Sequence, residues 1–228
     1  MKPLIVLRPE PGASATVAKA RALGLDARSH PLFAIHPVAW DPPAADAFDA
    51  LLVTSANAMR HGGGALSRYV HLPLLAVGAA TGAAARKAGF RAVSEGADDG
   101  AALLAMAAAA GYRHLLHLAG RDHRALQTTD IVVERRIVYD AVEQPPGTGL
   151  VAMLAAPCVA LVHSPRAAKA FARLVSDRSH IAIVAISAAA AAAAESGWAD
   201  VVVADAPHDA RMLALAARLC QNGSVAGE

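Results

Sequence analysis

The sequence predicts an α/β fold of two similar lobes built on parallel sheets, and three observations carry that expectation. Short apolar runs alternate with alanine-rich helical stretches, as parallel strands joined by crossover helices require. Two extended segments, 33–40 and 135–142, lack following helices and interrupt the rhythm. A strand–helix pattern also recurs at an offset of 109 residues: Leu52-Val53-Thr54-Ser55 matches Leu161-Val162-His163-Ser164, and Ala76-Val77-Gly78-Ala79 matches Ala185-Ile186-Ser187-Ala188.

Taken in order, the apolar runs predict strands over residues 4–7, 51–54, 74–77, 115–118, 159–163, 181–186 and 201–203. Helices are predicted over 14–23, 56–68, 79–88, 100–110, 165–174, 188–196 and 209–220, where alanine, the best helix former, is abundant. Gly24, Gly89, Gly111 and Gly197 fall where helices should stop. The Gly62-Gly63-Gly64 run follows helical sequence and reads as a loop rather than a phosphate cradle. Of the two extended segments, the first contains Pro37, which cannot donate to a ladder and belongs at a sheet edge. Paired, residues 35–40 and 135–142 make a two-stranded connector. That fences off residues 41–134 as one α/β domain and leaves residues 1–34 plus 143–228 for the other, with the ligand expected in the cleft between them.

Composition narrows the function. The chain has 228 residues, 55% of them apolar, enough for two small domains each to bury a core. Its 21 Lys and Arg nearly balance 19 Asp and Glu, so the basic stripe that nucleic-acid binding needs is missing. Cys158 and Cys220 show no CxxC spacing and read as reduced thiols. The apolar run before Arg8 is too short for a signal-peptide core, and no uninterrupted apolar stretch reaches the length of a membrane span. A cytoplasmic protein with no nucleic-acid or membrane partner is expected. The chain lacks GxGxxG, Walker, HExxH and GxSxG motifs. His114 and His117, three apart on a strand, face opposite sides and cannot share a metal; His123 and His163 have no evident partner in sequence. No metal or cofactor is expected.

What remains is a set of small residues directly after apolar strands: Ser55, Gly78, Ser164 and Ser187. Singly, each serine reads as a helix N-cap. Together they lie where open α/β sheets bind ligands, at strand carboxyl ends, with backbone N–H groups suited to carboxylates or phosphates. Arg8 and Arg121 could add positive charge there. Tyr139, in the second extended segment, is either an amphipathic packing residue or a phenol available to a ligand.

In chain order, Leu7-Arg8-Pro9, Val53-Thr54-Ser55-Ala56-Asn57-Ala58, Ala76-Val77-Gly78-Ala79-Ala80-Thr81 with Gly89, Val138-Tyr139, His163-Ser164-Pro165 and Ile186-Ser187 resemble the uroporphyrinogen-III synthase family. The resemblance runs from about residue 4 to residue 218. It implies two similar three-layer α/β domains with parallel sheets, joined by a two-stranded antiparallel connector. It also implies an enzyme, a cyclising hydro-lyase, that closes hydroxymethylbilane, a substrate with eight carboxylate side chains, to uroporphyrinogen III with loss of water and inversion of ring D. Tyr139 would then be catalytic, and Arg8, Thr54, Ser55, Asn57, Gly78, Thr81, Ser164 and Ser187 would bind substrate. The implied protein is a monomer without cofactor, open to transient hand-over of substrate from hydroxymethylbilane synthase. Three departures stand out: Ser187 where the family usually has Gly, Ala190 where it has Thr, and a shortened stretch between Leu126 and Arg135. The alternative reading is a non-catalytic two-lobed binding or sensor protein for a small anionic metabolite.

Overall fold

Leu4, Ile5 and Val6 have no solvent exposure, and neither do Leu51, Leu52 and Val53. Successive strand residues point to opposite faces, so such runs need cover on both sides of their sheets. A computed structural model, which describes residues 1–96, 100–123, 126 and 130–221, supplies that cover with helices. In chain order the elements are β1 (Leu4–Val6), α1 (Gly12–Ala22), β2 (Ala27–Ser29), β3 (Phe33–Pro37), β4 (Ala50–Val53), α2 (Ala56–His61), β5 (Leu74–Val77), α3 (Gly78–Lys87), β6 (Val93–Gly96), α4 (Gly100–Ala109), β7 (His114–Gly120), β8 (Val132–Glu143), α5 (Thr148–Leu154), β9 (Cys158–Val162), α6 (Pro165–Leu174), β10 (Ile181–Ala185), α7 (Ala188–Ala193), β11 (Asp200–Val203) and α8 (Asp209–Gln221). The chain divides into two compact units, Met1–Ala34 with Glu143–Glu228 and Ile35–Val142.

The first unit holds a parallel sheet in the order β11-β10-β9-β1-β2. Leu4, Val6, Val159, Leu161 and Val184 pack with Ala13, Val17 and Ala20 of α1 and with Met212, Leu213 and Ala216 of α8. The alternate residues Ile5, Ala160, Val162 and Ile183 are equally buried on the opposite face. There α6 contributes Phe171, which stacks on Trp198 with 5.3 Å between ring centroids. The second unit holds the sheet β3-β8-β7-β4-β5-β6, in which β8 through β6 run parallel. Leu51, Val53, Leu116 and Leu118 face Ala58, Met59 and Ala85 of α2 and α3. Ala50, Leu52, Leu75 and Leu115 face Leu103, Leu104 and Ala107 of α4.

Several elements depart from the sequence expectation for local reasons. β2 and β6 close their sheet edges without an apolar run, since Arg28, Ser94 and Glu95 are exposed and the pairing is made by backbone. α5 has no counterpart in the sequence expectation because it is only 7 residues long and holds Gly149, which weakens its helix propensity. The helix expected over 56–68 stops at His61; Gly63 takes φ +70° and a 3₁₀ helix follows over Gly64–Tyr69. Pro37 does sit on an edge strand, β3. Residues 132–139 of β8 pair in parallel with β7, so this extended segment is built into the second unit's sheet. The shortened stretch between Leu126 and Arg135 falls partly on residues 127–129, outside the described residues. Cys158 and Cys220 are buried free thiols, and burial pushes both up to about 11, so neither is a thiolate nucleophile at neutral pH. Among the described residues no helix is long and apolar enough to cross a membrane.

The Phe171–Trp198 stack offers a direct check on the first unit's core. Phe171→Ala is expected to lower stability by about 3–5 kcal/mol, read by urea unfolding; a loss below about 1 kcal/mol would show that this face of the sheet is not the packed core described.

Candidate active site

In the second unit the sheet order β7-β4-β5 sets the carboxyl ends of three strands side by side. Thr54 and Ser55 follow β4 there. Ser55 is extended (φ −152°, ψ 137°), and its Oγ accepts the Asn57 N–H at 3.2 Å, capping α2. Asn57 Oδ1 accepts in turn from Arg60 at 3.0 Å. The Thr54 hydroxyl lies 3.3 Å from Nε2 of His117 on β7. At the β5–α3 junction Gly78 has φ +70°, a conformation that a side chain disfavours. Thr81, one turn into α3, is only 5% exposed.

Tyr139 reaches this region through a bulge. Ala119 of β7 opposes Ile137 of β8, but the next residue, Gly120, opposes Tyr139, so β8 carries one extra residue. Without it, Tyr139 would follow Arg135 and Ile137 onto the α4 face; with it, the ring packs against the core shared with α2 and α3. A Cβ on Gly120 would stand 2.5 Å from the ring's Cζ and 2.8 Å from its hydroxyl oxygen, so only glycine admits the ring here. The His61 ring lies 6.4 Å away, tilted by 41°. Burial, then Arg60 and His36, pull His61 below the ordinary imidazole range, so it is neutral at pH 7. The Tyr139 ring is half-buried, and among the described residues its hydroxyl makes no hydrogen bond.

The first unit brings Arg8, Ser164 and Ser187 to the carboxyl ends of β1, β9 and β10, which are neighbours in its sheet. Ser164 and Ser187 cap α6 and α7, accepting the N–H groups of Ala167 at 3.1 Å and Ala190 at 3.3 Å. Ala190 is fully buried. Arg8 donates to Asp209 Oδ1 at 2.9 Å while its side chain stays 34% exposed. Asp209 also accepts from Thr16 at 3.0 Å and Lys19 at 3.2 Å, and His163 Nε2 lies 3.3 Å from Oδ1. The hydrogen bond from His163, with Arg8 and Thr16, holds this carboxyl well below the usual range against the opposing effect of burial. His163 itself is pulled down chiefly by burial, so the contact is a neutral N–H donating to a carboxylate.

Two expectations about histidine are thereby corrected. His163 has a partner, Asp209, 46 positions further along the chain. His123 bonds through Nδ1 with the carbonyls of Gly120 at 3.0 Å and Arg121 at 3.1 Å, and its ring stands edge-on to His117. The sequence reading did not single out Asp209 or Thr16, and weighed His117 only as a metal ligand. An acid opening α8 and a histidine inside an apolar strand were the available signals, and neither identifies its partner.

A family model described as uroporphyrinogen-III synthase HemD matches residues 14–214. No curated protein matches the chain. Among solved structures, uroporphyrinogen-III synthetase from Helicobacter pylori 26695 superposes with a TM-score of 0.67 at 16% identity, over 96% of this chain and 100% of that one. A mutant uroporphyrinogen III synthase from the extremely thermophilic bacterium Thermus thermophilus gives 0.52 at 15% identity, over 96% and 99%. At such identities the structural likeness concerns the fold.

The depressed Asp209 carboxyl has a pH signature. Its contribution to stability is complete above the unfolded value near 4 and is lost as pH falls through the lower folded value. Asp209→Asn is expected to cost about 2–3 kcal/mol at pH 7 and to flatten the fall in stability below about pH 4, measured by urea unfolding at stepped pH. An unchanged acid limb would remove Asp209 as the hub of this network.

Proposed function

The chain belongs to the uroporphyrinogen-III synthase family, and from that premise we propose that Tyr139 acts at the reacting end of the substrate while the strand-end residues of each unit hold its carboxylates. The reaction is the closure of hydroxymethylbilane to uroporphyrinogen III, with loss of water and inversion of ring D. A family match over most of the chain favours this synthase over a non-catalytic sensor for small anions. In this chemistry the terminal hydroxyl leaves, the resulting azafulvene cation is attacked by the substituted carbon of the last pyrrole ring, and a spiro intermediate fragments and recloses inverted.

One observation carries the role of Tyr139: the bulge that turns its ring onto Gly120 and toward His61, leaving its hydroxyl without a partner among the described residues. A phenol so presented can donate to the departing hydroxyl as charge develops on it. Phenols are weak acids near neutral pH, so the assistance is by hydrogen bonding or partial proton transfer.

The rim has its own chemistry. Ser55, Ser164 and Ser187 each accept a backbone N–H through Oγ. A hydroxyl that accepts still has its own proton to donate, so each cap can donate to a substrate carboxylate without uncapping its helix. Ser187 can fill this part in the second half of the repeat, where Ala190 has no hydroxyl. Gly78 and Asn57 complete the set in the second unit, where Thr54 adds its place at the strand end while its hydroxyl faces His117. In the first, Arg8 offers the part of its guanidinium not facing Asp209. The edge strands support a two-stranded antiparallel connection: the Val38 N–H donates to the Val138 carbonyl at 3.0 Å and the Gln144 N–H to the Leu32 carbonyl at 2.8 Å, the two bonds advancing in opposite directions along the partners.

The test feeds hydroxymethylbilane generated in situ and separates the oxidised porphyrin isomers chromatographically. Isomer III well above the no-enzyme control is expected; isomer I alone would overturn the reading. Tyr139→Phe is expected to lower kcat by about 10²-fold, the low end for general acid assistance, with KM little changed. A folded variant with normal kcat would leave Tyr139 a packing residue only.

A further inference from the structure

The opposite face of the second unit's sheet carries polar groups that the reaction as described does not use. His117 lies midway along β7, wholly buried, in register with Leu52 on β4 and Arg135 on β8. Directly paired strand residues share a face, so His117 and Arg135 both project toward the α4 side, away from Tyr139. His117 Nε2 faces the Thr54 hydroxyl, and its Nδ1 is buried without a partner. The Nε of Arg135 is likewise buried and unpartnered, and among the described residues its guanidinium makes no hydrogen bond and no ion pair. The neighbouring Glu134 pairs with Arg136 instead. His123, the other titratable group beside His117, brings no negative charge.

Burial first, then Arg135 and His123, push His117 down to about 4, so its ring is neutral at pH 7 and has one N–H. If the Thr54 hydroxyl donates to Nε2, that proton sits on Nδ1. Two N–H donors, one of them cationic, then stand side by side on adjacent strands with no acid among the described residues to receive them. Arg135 as a whole is partly exposed, but its Nε and the His117 Nδ1 are buried, and buried N–H donors are costly unless matched. One cation with one neutral N–H matches a single negative charge, and a carboxylate offers two oxygens for two donors.

We propose that His117 and Arg135 form a carboxylate-binding subsite, with the Thr54 hydroxyl fixing the imidazole tautomer that donates. The carboxylate comes either from an arm of the polycarboxylate substrate, which rests on the family reading above, or from a small free carboxylate, which does not. Thr54 connects the subsite to the rim, because the residue after it caps α2.

Propionate is the probe, titrated against sodium chloride at constant ionic strength while the histidine ring nitrogens are followed by ¹⁵N NMR. The expected result is a protonated Nδ1 on His117 whose resonance shifts on addition of propionate, with the shift lost in Arg135→Gln and partly kept in Arg135→Lys. Kinetics separate the sources. A KM about tenfold higher for Arg135→Gln, with kcat within twofold, assigns a substrate arm; an unchanged KM with the propionate shift intact in the wild type assigns a free carboxylate. Because Arg135 has no partner to lose among the described residues, Arg135→Gln should melt within a degree or two of the wild type, whereas a purely structural arginine would lower the melting temperature. An unprotonated Nδ1 at saturating propionate, or no shift together with an unchanged KM, overturns the proposal. Production of isomer III by the wild type is scored separately, so failure of the family reading is distinguishable from failure of this one.

Discussion

Burial of the central strands on both faces is the constraint from which the site's position follows. Leu51, Leu52 and Val53 cannot lie against water on either side, and the same holds for Leu4, Ile5 and Val6. Helices must therefore cover both faces, and parallel strands require each covering helix to start where a strand ends. Helix starts and loops thus collect at one edge of each sheet, and backbone N–H groups with them. Ser55, Gly78, Ser164 and Ser187 stand at that edge because the chain must turn there. Capping by the three serines is therefore compatible with the binding role proposed for this edge. The hydroxyl that satisfies a helix N–H also presents a donor to whatever occupies the strand ends.

The two units stabilise this edge by different means. In the first, one carboxylate, Asp209, gathers Arg8, Thr16, Lys19 and His163, tying the starts of α1 and α8 to the ends of β1 and β9. A partly buried charge with four donors is well compensated, and removing it would leave Arg8 and His163 poorly matched. In the second unit the comparable polar cluster, His117, Thr54 and Arg135, has donors and a cation but no acid among the described residues. The first network matches its charges within the protein and leaves one buried ring nitrogen, His163 Nδ1, without a partner. The second leaves both His117 Nδ1 and the cationic Arg135 Nε unpartnered, which is the gap that the proposed carboxylate would fill.

Much of the fold was legible because the signal was local. Strands buried on both faces read as continuous apolar runs, and glycine at helix ends took positive φ at Gly24, Gly89, Gly111 and Gly197. The N-caps at Ser55, Ser164 and Ser187 were equally local. What escaped depends on pairing between distant segments. β2 and β6 have little apolar content of their own and exist because a neighbouring strand offers its backbone. The contact of His163 with Asp209 joins residues 46 apart, and that of His117 with Thr54 residues 63 apart. No periodicity within either segment encodes such contacts. The family resemblance pointed to Tyr139 as a candidate, but not to the bulge that sets the direction of its ring.

That device is a single inserted residue, and it decides what each face of the second sheet does. Along β8 the alternation of side chains sends Arg135 and Ile137 to the α4 face; strict continuation would send Tyr139 there as well. The bulge opposite Ala119 and Gly120 moves the phenol to the other face, and glycine at 120 leaves room for its ring. The phenol and the Arg135 guanidinium are thereby set on opposite faces, so neither is drawn to the other's partner. Closure with inversion of ring D requires the reacting end of the substrate to be held in one conformation as well as activated, so part of the demand on the protein is conformational. Holding reacting atoms in one arrangement can contribute up to roughly 7–11 kcal/mol, far more than a weak acid supplies. On the proposed reading, fixed donors to the substrate carboxylates, with one phenol placed by a bulge, would serve that demand.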